Sequence, residues 1–283
     1  MAYTAHLEAE ASASQVRALL RDRAREALLD LKAGFLNWPL WFIVGWLDIK
    51  QRYRRSLIGP FWTTLSMAIF IAGLGVVYPA LFHMPIEEYL PFLASGLIVW
   101  TLISSLIGEG CTTFIAAEGA IKQIALPISV HIYRMVWRNL IIFFHNISIY
   151  VVIIFLFRTD FNLVSITALA GLVLIALNGV GFGVTLGLLS ARFRDIPPAI
   201  TNLVQLVFFT TPILWRADAL PAEEAWVANV NPFFYLVESV REPLLGHAYS
   251  SGSWLITCAL TTINLSVACM MYARFQARVA YWL

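Results

Sequence analysis

Six stretches of this chain, 61–82, 89–108, 139–157, 163–190, 198–215 and 254–273, contain no Asp, Glu, Lys or Arg. A helix crossing about 30 Å of hydrocarbon needs about 20 apolar residues, and with no water at that depth every backbone polar group must be satisfied within the helix. The six stretches therefore predict an all-α integral membrane protein with six transmembrane helices. Composition agrees: 60% of the 283 residues are hydrophobic, 13% are charged, and mean hydropathy is +0.76. Soluble domains carry about a quarter charged residues. A net charge of +2 supplies no basic field for nucleic acid. Cys111, Cys258 and Cys269 lie in or beside apolar runs without CxxC or Cys/His spacing, so neither a disulfide framework nor a metal site is expected. The first 37 residues lack the short apolar core of a cleavable leader.

Basic residues orient the spans. With the N-terminus in the cytoplasm, Lys122, Arg134, Arg138, Arg192, Arg194, Arg274 and Arg278 face inward and Arg158, Arg216 and Arg241 face outward. An even number of spans then puts both termini inside a plasma (inner) membrane. The outer segment 216–253 predicts two short helices around Asn231–Pro232. Its acids, Asp218, Glu223, Glu224, Glu238 and Glu242, argue against its full burial. The charged segment 14–33 predicts an amphipathic helix.

The energy source follows from what the spans lack. Ion-coupled transporters hold ionisable groups at mid-membrane, and here only His145 qualifies. A P-loop needs a lysine after a glycine-rich turn, but Lys32, Lys50 and Lys122 follow no glycine. An active transporter built on this chain needs a motor on another chain, and no catalytic residue is expected in this one.

Between residues 38 and 60 the chain reads WPLWFIVGWLDIKQRYRRSLIGP. Trp38, Trp41, Phe42, Gly45, Trp46, Ile49 and Tyr53 recur at three- and four-residue spacing, with Asp48, Lys50, Gln51, Arg52, Arg54 and Arg55 mostly off the stripe. This predicts a helix in the headgroup plane. Gly59–Pro60 then turns the chain into the first span.

DIKQRYRRSLIGPFW resembles the permease of ABC-2 type polysaccharide exporters: the O-antigen, teichoic-acid, capsule and galactan exporters. LASGLIVWTLISSLI, EGAIKQIALPISVHIYRMVWR, SARFRDIPPAITNLVQLVFFTTPILW, NPFFYLVESVREPLLG and RVAYWL extend the resemblance over 38–283. It implies a cytoplasmic extension (1–37), an interface helix (38–56) and a six-span domain (57–283). It also implies a homodimer forming a channel for a polyprenyl-linked glycan. Two copies of a separate ATP-binding subunit would hold ATP and Mg, leaving this chain without a cofactor.

The same resemblance assigns contacts to that subunit. They are Trp41, Trp46, Lys50, Arg54 and Arg55 on the interface helix, and Glu118, Ile121, Lys122 and Gln123 on a coupling helix, with Ile124 as a second apolar knob. Arg192, Phe193, Arg194 and Asp195 complete them on the second cytoplasmic loop. Asp195 alternatively caps the next helix. Residues 231–245 correspond to outer gate helices. Channel-lining candidates are Tyr78, Trp100, Phe208, Phe209, Trp215, Phe233 and Tyr235, because aromatic faces stack on sugar rings and tolerate sliding. Two other readings stay open: an ABC-2 drug or lipid exporter, and a membrane enzyme acting on lipid-linked sugars.

Overall fold

The computed structural model describes residues 22–54, 56, 58, 59, 61–157, 162–221, 223, 224 and 226–283. These residues form helices and short 3-10 turns. Helix α1 (Asp22–Leu36) meets α2 (Trp38–Arg52) at a 64° bend. Pro39 is the cause. It has no N–H to give the Phe35 carbonyl, and the Trp41 indole N–H takes that carbonyl instead at 3.4 Å. The part of segment 14–33 that is described is helical, as expected, and continues beyond it to Leu36.

Five long apolar helices come next: α3 (Phe61–Phe82), α4 (Ile86–Ala116), α6 (Val130–Phe157), α7 (Ala168–Arg192) and α11 (Ser251–Phe275), with the short α5 (Glu118–Gln123) between α4 and α6. The fifth expected span differs. Helix α8 (Ile196–Thr210) has 15 residues, a rise of about 22 Å, and ends one residue before Thr211, the position preceding Pro212, where helix geometry is disfavoured. The remainder, 211–215, is non-helical, and Thr211, Pro212 and Ile213 are buried. Across the break, α9 (Trp226–Asn229) and α10 (Pro232–Leu244) flank Asn231–Pro232. Asn231 accepts from the Phe233 N–H at 2.9 Å, capping α10, and donates to Thr211 at 2.9 Å. A final turn, α12 (Val279–Trp282), closes the chain.

Helix α4 is the axis of the bundle, packing against α3, α6, α7, α8 and α10. Small residues permit its approach to α7: a Cβ on Gly110 would lie 3.2 Å from the Gly183 Cα. This is how membrane helices gain van der Waals contact where no hydrophobic force drives them together. Polar side chains join α7 to α11. Asn178 donates to Thr261 at 2.7 Å, and Asn264 donates to the Asn178 amide oxygen at 2.9 Å.

Candidate functional site

The ends of α4, α7 and α11 and the start of α6 meet the first helix and α12 at one end of the bundle, around Ala27, Phe114, Ile132, Leu188, Tyr272 and Val279. Asp30 of α1 fixes this end. Its carboxylate accepts from the Ile128 and Ser129 N–H groups at 3.0 and 3.1 Å and from the Tyr272 hydroxyl at 2.6 Å. A carboxylate on the free amides at the head of α6 also suits the helix dipole. Helix α1 is thus packed on and hydrogen-bonded to this end of the bundle.

Helix α2 packs on α6. Gly45 lies so close to Trp137 that a Cβ there would approach the indole to 2.9 Å. Phe42 stacks on the same ring, with centroids 4.6 Å apart. Asp48 belongs to this packed face, contrary to its expected place off the stripe. It accepts from Arg134 at 2.6 Å and from Arg138 at 3.0 Å. Arg138 continues to Glu109 of α4 at 2.6 Å, and Arg52 stands 3.6 Å from Glu109. Burial pushes the Asp48 carboxyl up, but the two guanidinium groups outweigh it and hold the group below the usual aspartate range. Arg134 and Arg138, one turn apart on one face, are the sequence signal for this clamp. Their carboxylate partners are 86 and 29 residues away respectively.

The expected contact residues divide between outward-facing and packed positions. Trp46, Lys50 and Arg54 are exposed on and just beyond α2, and Trp41 is half-buried against Tyr133 and Trp137. Arg55 lies outside the described residues. On α5, Glu118 accepts from Lys122 at 2.7 Å and Gln123 is exposed. Ile121 packs against the terminal core, whereas Ile124 is 54% exposed. Arg192, Phe193, Arg194 and Asp195 are all exposed. Arg192 lies over the Phe193 and Trp282 rings at 5.2 and 5.3 Å. Asp195 occupies the N-cap position of α8 without a capping hydrogen bond.

At the opposite end a cavity of about 640 Å³ opens between α4, α10 and the 3-10 turn at Ala217–Ala219. Phe92, Tyr235 and Tyr249 line it together with Glu88, Glu238 and Glu242. Glu238 corrects an expectation: it is 6% exposed, not solvated. Its partner Arg241, one turn on and 1% exposed, makes that possible. Arg241 also donates to the Pro212 carbonyl at 2.7 Å and lies 4.0 Å from the Phe92 ring centroid. A paired and hydrogen-bonded charge can be buried where a lone one cannot. Burial and the neighbouring Glu238 raise the Glu242 carboxyl above the ordinary range. In such a cavity carboxylates can accept hydrogen bonds from hydroxyl groups, and the half-buried Tyr235 and Tyr249 rings offer apolar surface beside them.

The aromatic candidates do not share one surface. Trp100 is 6% exposed and packs on Phe208 and Phe233 at 5.9 Å from each. Tyr78 stacks on Tyr89. Phe209 is 62% exposed beside Leu206, also 62% exposed, on a helix with no buried residue. Trp215 is half-buried and donates to the Phe209 carbonyl at 3.2 Å. Tyr235 lines the 640 Å³ cavity.

Residues 39–245 match the model of the ABC-2 type transporter family. An O-antigen export system permease protein RfbA of Klebsiella pneumoniae is 27% identical over 250 residues, covering 86% of this chain and 95% of the relative. A protein of the same name from Myxococcus xanthus is 24% identical over 225 residues, covering 77% and 85%. With its apolar helices and this match over most of its length, the chain belongs to the ABC-2 type transporter family, as a multi-pass membrane permease homologous to O-antigen export permeases.

Proposed function

We propose that this chain is the channel-forming half of an ATP-driven exporter that moves a lipid-linked polysaccharide outward across the inner membrane. The observation that carries the reading is the similarity to O-antigen export permeases over 86% of the chain. Two copies pair, and each receives a separate ATP-binding subunit at the end that bears α5 and residues 192–195. That end is the cytoplasmic one by its basic loops. Trp46, Lys50, Arg54 and Arg55 meet the subunit or the headgroups beside it. Glu118, Lys122, Gln123 and Ile124 form the coupling contact, with Ile121 anchoring α5 from behind, and Arg192, Phe193, Arg194 and Asp195 add the second contact.

The motor's ATP and Mg bind on its own chain. What this chain supplies is transmission and a path. The Asp48–Arg134–Arg138–Glu109 clamp ties α2 to α6 and α4, so a push on α2 reaches the axis of the bundle. The exposed α8 face, including Phe209, lines the path between protomers. Glycan leaving it meets Tyr235 and the carboxylates of the outer cavity. Trp100, Phe208 and Phe233 hold α8 and α10 together rather than touching polymer.

Co-purification tests this. The tagged chain should bring down an ABC ATPase whose hydrolysis rises with lipid-linked polysaccharide. Recovery without any ATPase, or hydrolysis indifferent to glycan but stimulated by drugs or phospholipid, would reject it.

A further inference from the structure

Two cavities lie on one seam of this protein, and their chemistry is opposite. The first, of about 230 Å³, sits at the end bearing α12, between α1 and the C-terminal residues. Arg23, Arg274 and Arg278 converge on it, and Glu26 is the one carboxylate lining it. None of the three arginines has an ion-pair partner among the described residues. Three guanidinium groups against the single Glu26 carboxylate leave an excess of positive charge on the cavity, so the arrangement favours a bound anion.

The second cavity, of about 410 Å³, is walled almost entirely by carbon. Its floor is α7 and its walls are α6 and α11, which pack on α7 rather than on each other. Leu31 and Phe35 of α1 close it toward the arginines, Trp137 and Leu177 flank it, and Cys269 lines it. This size falls within the span of about 300–1,000 Å³ typical of ligand sites. Cys269 and Arg274 are five residues apart on α11, about 7.5 Å of helix rise. The same two elements, α1 and α11, pass from the charged cavity to the apolar one.

A polar end that wants an anion, followed one turn deeper by a slot that wants hydrocarbon, has the profile of an amphiphile standing in a bilayer. We propose that the α1–α6–α11 seam is a binding site for one anionic phospholipid, its phosphate on Arg23, Arg274 and Arg278 and an acyl chain in the apolar slot. The occupant is a bilayer lipid because the slot opens on the outer surface of the spans: Val173 at its mouth is 58% exposed. Helices α3 and α8, which flank α4, contribute nothing to it. The site is independent of the exported cargo. Its consequence is that α1, held to α6 by Asp30, is seated on the membrane domain in part by lipid.

Native mass spectrometry of the full chain, purified with any ATPase that accompanies it, tests this. The protein is supplied with phosphatidylglycerol or phosphatidylcholine of matched acyl chains, or with a polyprenyl phosphate. We expect one phosphatidylglycerol retained per chain in preference to phosphatidylcholine. Arg274→Ala with Arg278→Ala should lower that retention about tenfold, given a substantial electrostatic contribution from each basic residue near an anionic headgroup. Arg23→Ala, on a different element, guards against a folding defect in the first variant and should weaken retention alone. Leu177→Trp, which fills the slot, should remove both lipids. Equal retention of the two phospholipids, or arginine variants that bind as wild type, would overturn the proposal. Preference for the polyprenyl phosphate at these residues would overturn it in favour of the cargo lipid. Lipid lost whenever two chains associate would place a second copy in the slot and overturn it likewise.

Discussion

Arg241 shows how one side chain changes the character of a whole segment. Sequence makes it one of two bases in an outer segment that carries five acids, and solvated acids follow from that. Packing instead closes Glu238, the Pro212 carbonyl and the Phe92 ring around it. Removing one member of such a pair leaves a buried charge unmatched, at a cost of about 3–5 kcal/mol. Glu238→Ala should therefore lower the thermal midpoint in mild detergent sharply, whereas Glu238→Leu with Arg241→Met should recover much of the loss. Asp48 gives a prediction with a pH signature. Its carboxyl sits below its unfolded value, so its contribution is complete above about pH 4 and is lost as pH falls through the depressed folded value. Asp48→Asn should cost about 1.5–3 kcal/mol at pH 7, and its midpoint should converge with that of wild type once the pH has fallen through the depressed folded value. A gap that persists there would show that Asp48 acts by packing alone. Glu242 has the opposite sign, since burial and Glu238 raise it. Its neutral form is favoured in the fold, and stability is lost as pH rises from the unfolded value through the raised one. Glu242→Gln should raise the midpoint at about pH 8 and leave it unchanged at about pH 4, below the ordinary glutamate value.

At the level of elements, the long spans are legible because absence of charge over about 20 residues is a one-dimensional signal. Boundaries are less so. Helix α4 extends to Ala116, past Glu109, because that charge is neutralised by Arg138, 29 residues away. Helix α6 begins at Val130 for the same reason, carrying Arg134 and Arg138 inside its first turns. Helix α8 stops early because Pro212 ends it, and Pro212 is readable, but the burial of residues 211–213 depends on Arg241 in another element. Spacing alone defines the α2 stripe, and spacing does not tell an exposed Trp46 from a packed Gly45. The glycines of α7 are legible as close-contact positions, though not their partners. Gly171 is the strictest: a Cβ there would run into the Ser239 carbonyl, so α10 would have to lift off α7. Gly171→Ala should lower the thermal midpoint by an amount equivalent to about 1–3 kcal/mol, while Gly73→Ala, with nothing within 4 Å, should leave it unchanged.

On the proposed function, the whole molecule converts ATP hydrolysis on another chain into movement of its own helices, and the exposed apolar residues around α5 are where the push would arrive. A side chain that receives a partner should be accessible in the isolated chain, apolar, and seated on something stiff. Ile124 meets all three conditions: it is 54% exposed and directly follows α5, whose Ile121 is packed into the terminal core. The two isoleucines, equivalent by sequence, therefore separate in packing. Ile121→Asp buries a charge in the core and should lower stability and yield. Ile124→Asp places the charge in water when the chain is alone, so insertion and thermal midpoint should stay as in wild type. On the proposed coupling contact, the same charge would enter the interface with the ATP-binding subunit at the expense of desolvation. ATPase activity of the complex should then lose its response to lipid-linked glycan, and surface polysaccharide should fall, with the permease still present in the membrane. Wild-type export by Ile124→Asp would remove α5 from the coupling contact and shift that role to residues 192–195, where Phe193 is the comparable exposed knob at 51%.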